Sequence, residues 1–303
     1  MSRSLYLSLA VLSLIWGGSF FFIKILLRNF DPWSIAFLRI TFGLLAVVLV
    51  IALSRQRIRL QGLPWFPLLV VGLFNTVIPW GLIGFSETRL TSSMASILNA
   101  TTPLWSTVIG MLLFQGKPTR NHWLGIGIGF FGLLVLLDVN PATIVSVDPT
   151  GLLCMLAAAI FYGFSSHYSK RHFSELSVYE ISFGTLFAGA VASGLLTLLF
   201  GDFSVQPLVS WTNGLAFLGL GAFGSGIAFV LFFHLVQKGS PELATMVTYL
   251  VPGTAIVWGA LLLNEPVTWN LLIGLVLILS GVYVSNQTGS ILPRKHLHSS
   301  KAK

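Results

Sequence analysis

Ten apolar runs follow one another along this chain with only short polar breaks, and that succession constrains the fold more than any other feature. They cover approximately residues 6–27, 33–53, 65–85, 92–114, 123–137, 151–168, 181–200, 211–235, 242–263 and 269–285. A bilayer core of about 30 Å takes roughly 20 residues of α-helix. The breaks are too short to hold an extramembrane catalytic domain. Composition agrees: only 9% of the 303 residues are charged, against about a quarter in soluble domains. A soluble enzyme, a disordered chain and a disulfide scaffold are all excluded. The lone Cys154 reads as a small core residue. The expected class is an all-α polytopic membrane protein with ten transmembrane helices.

The basic residues set an expected orientation. With the N-terminus inside, Arg3, the Arg55, Arg57 and Arg59 cluster, Lys117, Arg120, Lys170, Arg171, Lys238 and the tail cations Arg294, Lys295, Lys301 and Lys303 all fall on one side. Only Lys24, Arg28, Arg39 and Arg89 fall on the other or early in helices. Both termini are therefore expected in the cytoplasm, in a cell (inner) membrane. The net charge of +8 needs no nucleic-acid partner; a lipid-facing basic rim accounts for it. Trp33, Trp65, Trp123, Trp211 and Trp269 each open a run, where an amphipathic ring sits at headgroup level.

An internal repeat is the next signal. Adding 149 to a residue number carries Gly72 to Gly221, Phe74 to Phe223, Arg89 to Lys238, Pro103 to Pro252, Thr119 to Thr268, Gly125 to Gly274 and Gly132 to Gly281. One register thus runs through three helices of each half. Five helices per half is an odd number, so the halves must face opposite ways. The expected division is residues 1–140, residues 141–288 and a basic cytoplasmic tail, 289–303. Inverted repeats are a recurrent design of secondary transporters, with the solute site near midplane.

These residues also carry a resemblance. Trp16-Gly17-Gly18-Ser19-Phe20, Arg39, the run Leu90-Thr91-Ser92-Ser93-Met94-Ala95-Ser96-Ile97-Leu98, Pro103, and Asn264-Glu265-Pro266-Val267-Thr268 with Gly274 and Gly281 resemble the drug/metabolite transporter superfamily, EamA type. The resemblance implies ten helices in two inverted five-helix repeats and export of small metabolites, amino acids or drugs. It further implies a cavity lined by helices one, three, four, six, eight and nine. One departure stands out: the family's glutamate after helix four is Gly116 here, while Glu265 holds the equivalent place in the second half.

Candidate solute-binding residues follow from depth and helical spacing. Pro103 and Pro252 fall near midplane, where an amide-less residue frees carbonyls that a wet cavity can satisfy; with Pro79 they are the helix-break candidates. Ser96 and Asn99 precede Pro103, and Thr245 and Thr248 precede Pro252, each pair on one helical face. Asn75 and Trp80, Ser225 and Phe229, Trp16 and Ser19, and Tyr162 supply aromatic walls with sparse polar anchors. Lys24, Arg39, Glu87 and Glu265 are the charge-coupling candidates, because intramembrane charge is expensive. Snorkelling is the plain reading of Lys24, water access that of both acids, and capping of its own tight turn that of Glu265. No HExxH or GxSxG motif is present, so an enzyme, a cofactor or a metal site is not expected. The expected partners are a small-molecule solute and membrane lipid, with proton coupling if a carboxylate titrates. A channel, sensor or scaffold is the alternative class.

Overall fold

The computed structural model describes residues 3–55, 58, 60–138, 147–229, 231–232, 235 and 247–287. Ten helices account for nearly all of them. In chain order they are α1 (Arg3–Leu26), α2 (Pro32–Leu53), α3 (Trp65–Glu87), α4 (Ser92–Leu113), α5 (Arg120–Leu136), α6 (Pro149–His172), α7 (Val178–Phe200), α8 (Trp211–Phe217 continuing into Leu218–Ile227), α9 (Val247–Leu263) and α10 (Trp269–Asn286). Seven are long and apolar enough to cross a membrane, and α9 is a shorter apolar helix. The tail 289–303 and Thr245 lie outside the described residues.

Helix starts follow local chemistry. The Asp31 carboxylate accepts the Trp33 and Ser34 amides at 2.9 and 3.2 Å, with Pro32 as the first helical residue. The Asp148 carboxylate accepts the Gly151 amide at 3.0 Å ahead of α6. That bond, reinforced by Arg89 at 3.0 Å, holds the Asp148 carboxyl below the usual carboxylate range. Ser177 and Glu180 form a reciprocal capping box on α7. Trp65, Trp123, Trp211 and Trp269 stand exposed at their helix starts. Trp33 instead packs over Gly81 of α3, edge-on to Phe85.

The packing is inside-out relative to a soluble protein. Large apolar side chains such as Phe66, Phe130, Leu198 and Leu261 are exposed on the perimeter, while Ser34, Thr76, Ser86 and Ser193 are buried. Lipid tails are as apolar as leucine, so small residues that admit close backbone contact become the useful interface currency. The α5–α10 seam illustrates this. A Cβ on Gly281 would meet the Gly125 carbonyl and the Gly129 amide at 2.5 Å, and one on Gly132 would meet the Ile278 amide at 2.8 Å and the Gly274 carbonyl at 3.1 Å. The other main pairings are α2 with α8, α7 with α3, α1 with α9, α6 with α4, α2 with α7, and α3 with α6. The repeat offset, 149 residues through α3–α5 and nearer 145 between α1 and α6, exchanges the first pair with the second and the third with the fourth.

Two helices are wound irregularly at matching places. α3 is π-helical over Leu73–Val77, and α8 over Leu218–Ile227. In each, a hydroxyl bonds back onto a main-chain carbonyl: Thr76 to Gly72 at 2.5 Å and Ser225 to Leu220 at 3.2 Å. The three prolines do not behave alike. α4 breaks at Ala100–Thr101, and the second piece starts at Thr102 with Pro103 in its first turn; α9 carries Pro252 inside a continuous helix. The physical difference lies in the hydroxyls around Pro103. Thr101 and Thr102 donate to the Leu98 and Asn99 carbonyls at 2.6 and 2.7 Å, so the open turn keeps its acceptors satisfied. Pro79 does not break its helix either; it sits in the first turn after the π segment.

Candidate functional site

A cavity of about 330 Å³ lies between α1, α2, α3, α4, α6, α8 and α9. That volume sits at the small end of sites for small molecules, roughly 300–1,000 Å³. Helical periodicity brings the lining together. Trp16, Ser19, Phe20 and Ile23 form one face of α1, and Ser96, Asn99, Ala100 and Pro103 one face of α4. Asn75, Trp80 and Ile83 line it from α3, Tyr162 from α6, Gly224 and Phe229 from α8, and Thr248, Val251 and Pro252 from α9. Most sequence-derived candidates therefore meet in one place. Phe20, Ile23, Ile83, Ala100 and Val251 were not among them, although their i+3, i+4 and i+7 relation to residues that were is visible in the sequence.

Two candidates act from behind the wall. Ser225 accepts from Arg39 Nε at 3.0 Å; it holds a lining residue rather than lining the cavity. Its approach depends on glycines, since a Cβ on Gly43 would collide with Ser225 at 2.9 Å and one on Gly221 would press on the Arg39 carbonyl at 3.0 Å. Pro79 is buried and contributes no lining. Trp16 both lines the cavity and closes a seam, its Nε1 donating to the Gly224 carbonyl at 3.1 Å within the π-helical turn. His167 of α6 approaches the Ser106 hydroxyl at 3.2 Å and stacks on Phe114.

Three of the four charged candidates, Lys24, Glu87 and Glu265, form a layer where α1 and α3 end and α4 begins. Lys24 does not snorkel: its Nζ donates to the Glu87 and Leu90 carbonyls, satisfying the open end of α3. Glu87 is not at a wet helix end. It is fully buried, and neither carboxyl oxygen has a hydrogen-bond partner among the described residues. A buried polar group without a partner costs free energy, so Glu87 is the costliest carboxyl placement in this layer. Glu265 reaches across rather than capping its own turn. Its Oε1 accepts the Ser92 amide at 2.7 Å, and its Oε2 accepts the Ser93 amide at 3.0 Å and the Ser92 and Ser93 hydroxyls at 3.0 and 2.7 Å. The turn itself forms without a carboxylate. At the matching place 149 residues earlier, Gln115 and Gly116 repeat the left-handed residue and the amide bond back to a glycine carbonyl that Asn264 and Glu265 make. Glu265 is instead a second-half side chain closing the N-terminus of a first-half helix.

Such an arrangement defines a multi-pass, all-α membrane protein enclosing a small-molecule cavity. The model of the EamA-like transporter family matches the chain twice, over residues 3–138 and 149–287. The chain belongs to the EamA-like transporter family. It is 26% identical over 288 residues to the uncharacterized transporter YoaV of Bacillus subtilis (strain 168), covering 94% of this chain and 97% of that protein. It is 28% identical over 257 residues to the uncharacterized inner membrane transporter YedA of Escherichia coli (strain K12), covering 84% and 81%. An uncharacterized transporter of Archaeoglobus fulgidus is 25% identical over 285 residues, covering 92% and 97%. One solved crystal structure shares the fold with a TM-score of 0.65 at 21% identity, covering 94% of this chain and 97% of that one.

Proposed function

We propose that this chain is a secondary transporter that exports a small organic solute, an amino acid or a drug-like molecule, across the cell membrane by alternating access. The observation that carries the reading is the cavity itself: it is solute-sized and aromatic-walled, and it lies where helices of both family-matched segments meet. The two segments act as inverted five-helix repeats. Supporting this are the offset that exchanges whole helix pairings and the π-helical turns that recur at matching depth. One bundle rocks against the other around the cavity, and the Lys24–Glu87–Glu265 layer closes one mouth. The distribution of basic residues favours cytoplasmic termini, which makes this mouth the outer one.

Flux through proteoliposomes tests the reading. A carrier gives saturable uptake and counterflow of preloaded solute. Linear, non-saturating flux would make the protein a channel, and absence of flux across a broad metabolite panel would make it a sensor or scaffold.

A further inference from the structure

We propose that the cavity is built for a solute bearing a carboxylate, a monoanion or zwitterion rather than a cation, with Arg39 as its anchor and Asn99 as a second polar contact. This rests on the carrier reading and names its substrate class.

Arg39 is 7% exposed and lines the cavity. Its Nε is engaged by Ser225 at 3.0 Å, and its guanidinium carbon lies 3.8 Å from the centroid of the Trp80 ring. Those contacts use one donor and one face of the plane. A guanidinium carries five N–H donors in a rigid fork that matches a carboxylate. The Nη groups donate no hydrogen bond and no carboxylate pairs with Arg39 among the described residues, where the only ion pair is Arg89–Asp148. Glu87, the acid of the neighbouring layer, acts on Arg39 electrostatically but stands beyond ion-pair distance. A buried cation that no carboxylate touches is costly, and a bound carboxylate would relieve that cost with charge-assisted bonds.

A second orphan lies on another wall. Asn99 Oδ1 is buried with no partner and so is ready to accept an N–H or O–H from the solute. The same cavity is lined by the aromatic rings of Trp16, Phe20, Trp80, Tyr162 and Phe229. A single guanidinium balances one negative charge, which favours a monocarboxylate over a phosphate monoester dianion. A cationic solute would meet Arg39 as a like charge in a low-dielectric wall.

The test uses four probes sharing a phenyl body: 3-phenylpropionate, L-phenylalanine, L-phenylalaninamide and 2-phenylethylamine. Thermal unfolding of the purified full-length chain and counterflow in proteoliposomes are measured with each. Wild type should be stabilised by, and exchange, the two carboxylates at least about tenfold more effectively than the amide and amine, the scale of a charged hydrogen bond. Arg39→Gln should abolish that preference and Arg39→Lys keep part of it. Ser225→Ala, which removes the protein's hold on Nε but leaves the cation, should keep the preference, so a folding defect in Arg39→Gln does not decide the matter. An Arg39→Gln chain that still prefers acids to amides, or a wild type that prefers the amine, overturns the proposal while leaving a carrier. Folded wild type that binds and moves none of the four counts against both readings.

Discussion

Replacing Glu265 by alanine removes four hydrogen bonds from the start of α4 in a single step. Its two oxygens hold both the amides and the hydroxyls of Ser92 and Ser93, at 2.7 to 3.0 Å. Ser92 and Ser93 are 0% and 2% exposed, so water does not easily take the carboxylate's place. The hydroxyls can rotate to other acceptors, but the two amides are first-turn donors with no intrahelical partner. A lost cap costs about 0.5–2 kcal/mol, and a carboxylate removed from a helix N-terminus costs about 0.3–2 kcal/mol more. The expected loss for Glu265→Ala is therefore about 1–4 kcal/mol. Glu265→Gln keeps one acceptor but turns an NH₂ toward a backbone donor, so it should lose about half as much. Denaturant unfolding of the detergent-solubilised chain, followed through midpoint and slope, measures both. Hydrogen exchange at Ser92 and Ser93 locates the effect. An alanine variant within about 0.5 kcal/mol of wild type, the scatter of featureless surface substitutions, with both amides still protected, would refute the bridging role.

Three further outcomes follow from the packing and the site. Leucine at Asn99 or Thr248 fills a lining position and should abolish flux while leaving a folded protein in the membrane; wild-type flux in both variants removes these residues from the site. Gly281→Ala places a Cβ 2.5 Å from backbone atoms of Gly125 and Gly129 that cannot yield, whereas one on Gly127 of the same α5 meets nothing within 4 Å. Unfolding midpoints should therefore show a loss of about 1–3 kcal/mol for Gly281→Ala and none for Gly127→Ala. If Glu87 couples transport to protons, Glu87→Gln should erase the dependence of flux on an imposed pH gradient; an unchanged dependence assigns coupling elsewhere.

The helices were readable because lipid imposes length and apolarity on each one separately. The second run, 33–53, reappears as Pro32–Leu53, and the last, 269–285, as Trp269–Asn286. Errors came where helix and apolar run part company. α6 continues to His172 through Ser169, Lys170 and Arg171, and α5 begins at Arg120 rather than at Trp123, because hydropathy registers contact with lipid and not hydrogen bonding. The cavity wall was legible as helical faces before paired prolines. The charged layer was not. Lys24 on two carbonyls, Glu87 without a partner and Glu265 across the seam depend on neighbours far away in sequence, so residue type and local depth could not separate them from snorkelling or turn capping. The π-helical turns, packed against small residues of neighbouring helices, escape local propensity for the same reason.

Sidedness of access to the cavity tests the carrier account most directly. In a chain with Cys154 replaced by alanine, single cysteines at Ile83, toward the charged layer, and at Thr248, toward the opposite mouth, are labelled with a membrane-impermeant thiol reagent in vesicles of defined orientation. Because both residues line one cavity, alternating access predicts that each is labelled from either side in turn, and that locking one mouth by a cross-link abolishes labelling from that side while leaving labelling from the other. Labelling that persists from both sides once one mouth is locked, or that occurs from neither side, would contradict it.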